Sequence, residues 1–327
     1  MKYSTQCLIF FTCCRTSLTY RSKIPSRRIN AVKTLLGAAV MAATLSIHAT
    51  DLPRGIFAEG LRCAVDPSQT YTLYLPSHYE PDKKWPAMLI MDPRGRSVHA
   101  ADRFRAAAEE YGWILLSSDN TRSDESPEPN VRALNALLPE LGTEYSVDED
   151  RVYLAGFSGT AMTAWEVARQ RPGLAGVIAS GSRFEGQHFR TEMKVPTFGA
   201  AGDTDFNNPE MRRVHETLRG WQTPERLEVF VGPHRWMPED LARQSIEWME
   251  LQAMRIGSRS IDRDLVAKLH EEDRARARHL EEEGRELSAL RRWENLASNY
   301  KGLIDEAESE LQIRRLRESP AVRLAPF

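Results

Sequence analysis

Cysteine is scarce in this 327-residue chain, and its placement is lopsided. Cys7, Cys13 and Cys14 crowd the N-terminus, which leaves Cys63 alone in the remainder. A single thiol makes neither an internal disulfide nor a Cys-x-x-Cys metal or redox site. No His-Glu-x-x-His motif occurs either, so no metal is expected. Long hydrophobic runs are also missing. The apolar stretch from Thr34 to Ile47 is shorter than the roughly 20 residues a membrane span requires, and no other stretch approaches that length. Stable membrane insertion is therefore not expected.

Acidic residues are absent from positions 1–49, whereas seven basic ones occur there (Lys2, Arg15, Arg21, Lys23, Arg27, Arg28, Lys33). The whole chain carries 44 basic and 46 acidic side chains, so the remainder holds 37 against 46, a net of −9. A body that acidic repels phosphate backbones, and nucleic acid is not an expected partner. Arg27, Arg28 and Lys33 precede the apolar run, which ends at Ile47-His48-Ala49 with a small residue where a signal peptidase cuts. A second apolar patch, Leu8 to Cys14, lengthens this leader. Residues 1–49 are expected to be a signal peptide, and the mature protein to be soluble, and periplasmic or secreted.

What the chain does have, from Tyr71 to Trp248, is alternation. Short apolar runs at Tyr71–Leu75, Ala87–Met91, Trp113–Ser117, Val152–Ala155, Gly176–Ala179, Thr197–Ala200 and Leu227–Val231 read as buried strands. Helical stretches separate them at Ala100–Tyr111, Asn130–Glu144, Ala161–Gln170, Pro209–Gly220 and Pro238–Met254. That order predicts an α/β domain over 53–257, with a mostly parallel sheet covered by helices on both faces. Residues 258–327 differ: they hold 14 basic and 15 acidic residues and no strand-like run. Leu265, Leu269, Leu280, Leu287, Leu290, Trp293, Leu296, Tyr300, Leu303 and Leu311 recur there mostly at three- and four-residue spacings. An amphipathic helical appendage follows, most simply a helical hairpin, and its apolar stripe is also a candidate surface for a protein partner.

The strand Val152–Ala155 runs into Gly156-Phe157-Ser158-Gly159 and then a helix rich in Ala. A turn this tight needs small residues around a nucleophile, whose strained backbone lifts Oγ above the sheet. The N–H of Gly159, at the start of that helix, points at a developing oxyanion. An acidic loop, Gly202-Asp203-Thr204-Asp205-Phe206-Asn207-Asn208-Pro209, follows a late strand and holds two candidate acids, Asp203 and Asp205. Gly232-Pro233-His234 follows the last strand, where a general base belongs. Serine, acid and histidine thus arrive in the order this chemistry uses in α/β sheets.

These three motifs resemble the α/β-hydrolase superfamily, in its esterase, depolymerase-like and dienelactone-hydrolase-like members, over roughly Tyr71 to Met254. The resemblance implies an α/β-hydrolase fold with Ser158 as nucleophile, His234 as base and Asp205 as acid, because Gly202, Asp205 and Pro209 match the family's acid loop; Asp203 is the alternative. Phe206 is expected to pack under the site and shield Asp205. The family's last elbow glycine is replaced by Thr160, which brings a branched Cβ into a crowded turn. By the same resemblance the loop Asp92-Pro93-Arg94-Gly95-Arg96 supplies the second oxyanion donor through the N–H of Arg94 or Gly95, since Pro93 has none. The implied activity is hydrolysis of a small-molecule or polymer ester without any cofactor. A peptidase or thioesterase with the same triad, and a silent hydrolase fold whose helical arm binds a partner, are the alternatives.

Overall fold

The computed structural model describes residues 52–123, 126–183 and 192–324; the leader expected over 1–49 lies outside them. Eight strands form one sheet: β1 (Phe57–Arg62), β2 (Thr70–Tyr74), β3 (Trp85–Met91), β4 (Ile114–Ser118), β5 (Val147–Phe157), β6 (Gly176–Ser180), β7 (Thr197–Gly202) and β8 (Glu225–Phe230). Their order is β1-β2-β4-β3-β5-β6-β7-β8. From β4 to β8 every neighbouring pair is parallel, whereas β2 runs antiparallel to both β1 and β4. All seven expected strands are present.

The eighth, β1, was not expected, for a physical reason. It is an edge strand with a bulge between Ala58 and Leu61, and none of its residues is fully buried. Its sequence, Phe-Ala-Glu-Gly-Leu-Arg, therefore carries no buried-strand signature.

Among the described residues, the helices that accompany the strands are α1 (Ser97–Tyr111), α2 (Glu128–Glu144), α3 (Gly159–Gln170), α4 (Asn208–Gly220) and, after β8, α5 (Glu239–Ile256). Side chains alternate across each strand, so consecutive residues enter different cores. Leu89 and Leu154 pack with Leu137 of α2, Trp165 of α3 and Val214 of α4. Met88, Ile90 and Tyr153 face the other way, with Phe104 of α1 and Ile246 and Trp248 of α5.

The C-terminal region is richer than a hairpin. It forms α6 (Arg263–Glu282), α7 (Glu286–Asn299), α8 (Ala307–Arg317) and the single turn α9 (Pro320–Arg323). Leu269, Leu290, Trp293, Leu296 and Tyr300 make a third core with Leu251 and Met254 of α5. Leu311 is exposed, and Leu316 takes the buried place expected of it. An ionic cluster secures these helices to the sheet. Arg226 of β8 lies 2.7 Å from Glu228 and 2.9 Å from Asp273 of α6. Arg292 of α7 reaches Glu228 at 2.5 Å, and the Tyr300 hydroxyl donates to Asp273 at 3.0 Å. The described residues belong to one compact unit.

Candidate active site

The C-terminal ends of the parallel strands converge on one edge of the sheet, where ligands bind in open α/β folds. Ser158 stands there between β5 and α3, at φ 55° and ψ −127°. A positive φ at a residue with a side chain costs on the order of 1–3 kcal/mol and persists only when its surroundings dictate it. Here the surroundings do. The Ser158 N–H donates to Ser180 O at 2.9 Å, and its carbonyl accepts from the Ser182 hydroxyl at 2.9 Å and from Ala161 N at 3.1 Å. A side chain on Gly156 would start 2.6 Å from Ala161 N, which is why the turn needs glycine there.

Thr160 is accommodated by hydrogen bonding. Its buried hydroxyl lies 2.7 Å from Met91 O and 2.8 Å from Phe157 O, and it accepts from Phe157 N at 3.1 Å. The branched side chain thus links the turn to the end of β3.

His234, in the loop between β8 and α5, places Nε2 3.0 Å from Ser158 Oγ, although the two are 76 residues apart. Its Nδ1 lies 2.9 and 3.0 Å from the two carboxylate oxygens of Asp205. Those oxygens call for a proton on Nδ1, which leaves Nε2 as an acceptor facing Ser158. The Asp205 carboxyl is fully buried and also accepts from Asn207 N at 2.8 Å. Asp203, by contrast, is exposed and accepts from Gly232 N at 2.9 Å, pinning the acid loop to the base loop. Of the two candidate acids, only Asp205 bonds to His234.

Phe206 does not lie beneath the site. It is 73% exposed, with its ring 4.3 Å from that of His234. The buried ring against His234 is Phe157, at 4.6 Å. Gly181, which no sequence motif singled out, closes the floor instead. Its φ is +51°, and a side chain there would meet Asp205 Oδ2 at 2.7 Å and His234 Nδ1 at 3.2 Å. Asn207 Nδ2 donates to Gly181 O at 2.9 Å and holds this approach. A glycine after a buried strand was the only trace in the sequence.

The loop after β3 corrects the expected oxyanion donors. Arg94 N–H donates to Asp92 Oδ1 at 2.8 Å, and Gly95 N–H to Asp92 O at 3.1 Å. Asp92 is fully buried, and the turn folds around its carboxylate, so both N–H groups are already engaged. Burial alone would raise the Asp92 pKa; the Arg96 guanidinium, the Trp236 N–H and the backbone N–H groups together hold it below the usual carboxylate range. Gly159 differs from Arg94 and Gly95. As the first residue of α3 its N–H has no acceptor within the helix, and it lines the cleft beside Ser158.

That cleft, about 1110 Å³, runs between α2 and α3 and is lined by Arg122, Asn130, Val131, Met162, Val167 and Phe206 among others.

Strand order, the inverted second strand and the turn at Ser158 coincide. This is the α/β-hydrolase fold. No protein-family model matches the chain, and no curated protein matches it. Among solved structures it is similar to the substrate-bound Staphylococcus aureus serine hydrolase FphF, at 14% identity over 59% of this chain and 97% of that one, with a TM-score of 0.49. The S-formylglutathione hydrolase FrmB of the same organism is 15% identical over 61% of this chain and 98% of its own, at a TM-score of 0.47. Thermogutta terrifontis esterase 2 is 16% identical over 63% and 96%, also at 0.47.

Proposed function

We propose that the protein is a serine hydrolase that cleaves carboxylic esters through an acyl-enzyme on Ser158. The observation that carries this reading is the continuous relay from Asp205 through His234 to the Oγ of a strained serine. As Oγ attacks the ester carbonyl, His234 Nε2 takes its proton, and Asp205 holds the tautomer and balances the imidazolium. The tetrahedral oxyanion meets the Gly159 N–H at the positive end of α3. Collapse breaks the bond to the alcohol oxygen, which leaves with the proton from His234. Water, deprotonated by the same nitrogen, then releases the acid and restores Ser158.

The volume of the cleft exceeds the usual range for small-ligand pockets, about 300–1,000 Å³. Substrates with a bulky acyl or alcohol group suit it better than short esters do. Labelling with a fluorophosphonate probe tests the reading. Wild type is expected to label at Ser158 and to hydrolyse p-nitrophenyl esters, and Ser158→Ala to do neither. Matched amide and thioester substrates compare the other acyl classes; faster turnover of either would reassign the specificity.

We further propose that the chain is exported by its basic, then apolar, N-terminal segment. N-terminal sequencing of protein recovered from the periplasm or the medium is expected to begin at Thr50; an intact Met1 would reject export.

A further inference from the structure

Three consecutive residues at the end of β3 each hold a different loop of the site. Met91 O accepts from Thr160 in the nucleophile turn at 2.7 Å. The Asp92 carboxylate accepts from Trp236 Nε1, two residues past His234, at 2.8 Å. Pro93 O accepts from Ser123 N at 2.9 Å, and Ser123 lines the cleft. Of the three, Asp92 alone acts through a side chain, and that side chain is the most heavily engaged carboxylate around the site. Oδ1 accepts from Arg94 N, Arg96 N and Arg96 Nε, and Oδ2 from Arg96 Nη2 and Trp236.

We infer that Asp92 is a positioning residue for the general base, acting through Trp236; this rests on the hydrolase reading above. The geometry gives the reason. The His234 loop is short, and the ring nitrogens of His234 bond Asp205 on one side and Ser158 on the other. Those two bonds orient the ring, and the loop backbone is tied at its two ends, where Gly232 N donates to Asp203 Oδ1 at 2.9 Å and Met237 N to Ser180 Oγ at 3.0 Å. Trp236 holds the stretch between them. It is buried, with its ring 5.7 Å from Phe157 and 6.2 Å, edge-on, from Phe104 of α1. Phe157 in turn lies against His234. A rotation of Trp236 therefore carries the base with it, and the Asp92 bond is the one directional contact that fixes the indole. An aromatic pocket without it would set the depth of the ring but not its angle.

Trp236→Phe tests this, because it keeps a ring in the pocket, removes the donor and leaves Asp92 paired with Arg96. A misplaced base slows proton transfer without altering ground-state binding, and small displacements at a reacting centre cost up to about 100-fold. Folded Trp236→Phe is expected to lose 10- to 100-fold in kcat for a p-nitrophenyl ester, with KM within about twofold, and to react with a fluorophosphonate more slowly by a similar factor. Asp92→Asn and the double variant complete a cycle. If the two side chains act as one unit, the double variant is no slower than the slower single variant.

A folded Trp236→Phe with wild-type kcat and labelling rate would overturn the inference, as would losses that multiply in the double variant. Wild-type protein that fails to label at Ser158 would overturn the hydrolase reading itself. The two failures are thus separable.

Discussion

Asp203 and Asp205 sit two positions apart, yet their environments give them different work. Asp205 is buried against His234, whereas Asp203 is exposed and bonds only the turn at Gly232. Asp205→Asn is expected to cut turnover by roughly 10³- to 10⁴-fold, because an amide favours the wrong imidazole tautomer. Asp203→Asn keeps an acceptor for Gly232 N and is expected to cost about 1 kcal/mol of stability with near-normal kcat. Steady-state rates and thermal melts on both variants check the pair. Gly181→Ala is the matching test of the floor. Its added methyl would meet Asp205 Oδ2 at 2.7 Å from a backbone already at positive φ. Activity is expected to fall at least 100-fold, because the Asp205–His234 bond must lengthen to admit the methyl. Wild-type kcat in a folded Gly181→Ala would show that this contact does not constrain the pair.

At the scale of elements, the joint between β8 and helices α6 and α7 is both apolar and ionic. Arg226 is buried with Glu228 and Asp273 beside the half-buried Arg292, and burial would lower its pKa, but Asp273 and Glu228 raise it well above the usual range. Removing one member of such a cluster strands a buried charge, which costs roughly 3–5 kcal/mol. Asp273→Ala is therefore expected to destabilise the protein by that amount, measured by urea unfolding. Arg226 and Arg292 lose a shared carboxylate, and the Tyr300 hydroxyl loses the Asp273 oxygen it donates to at 3.0 Å. A change below about 1 kcal/mol would mean the cluster is solvated in solution. The triad itself lies outside this cluster, on the turns after β5, β7 and β8, and its geometry is expected to survive at low urea.

For the molecule as a whole, acid and base act on the C-terminal helices in different pH windows. Burial opposes ionisation of Glu228 and Asp273, but the facing arginines outweigh it and hold both below their ordinary values of 4.5 and 3.8. A lowered folded pKa stabilises above the unfolded value, so this contribution is present at neutral pH and is lost as pH falls through the folded values. Glu306, at the start of α8, shifts the other way. Burial raises it to about 7, only partly offset by Arg255. Its contribution is complete below about 4.5 and disappears as pH rises through about 7. Glu306→Gln is expected to flatten the fall in Tm between pH 4.5 and 8, as read by calorimetry; an unchanged slope would remove Glu306 as its source.

The α/β order, seven of the eight strands and the residues of the Ser158–His234–Asp205 relay were legible in the sequence, because buried strands are continuous apolar runs and the turn at Ser158 demands small neighbours. Strand β1 was not, since an edge strand buries too little to leave a pattern. Nor were Gly181 and Asp92, whose importance depends on what other loops bring against them. Arg94 and Gly95 were chosen by their place after β3, but a local turn around a buried carboxylate claimed their N–H groups first. Sequence by itself picked out Ser158, His234 and the pair Asp203 and Asp205 as the candidates, and the strands that deliver them. Only the tertiary structure decided which N–H groups stay free and which carboxylate holds the base, because hydrogen-bond capacity is shared among loops that are distant in the chain.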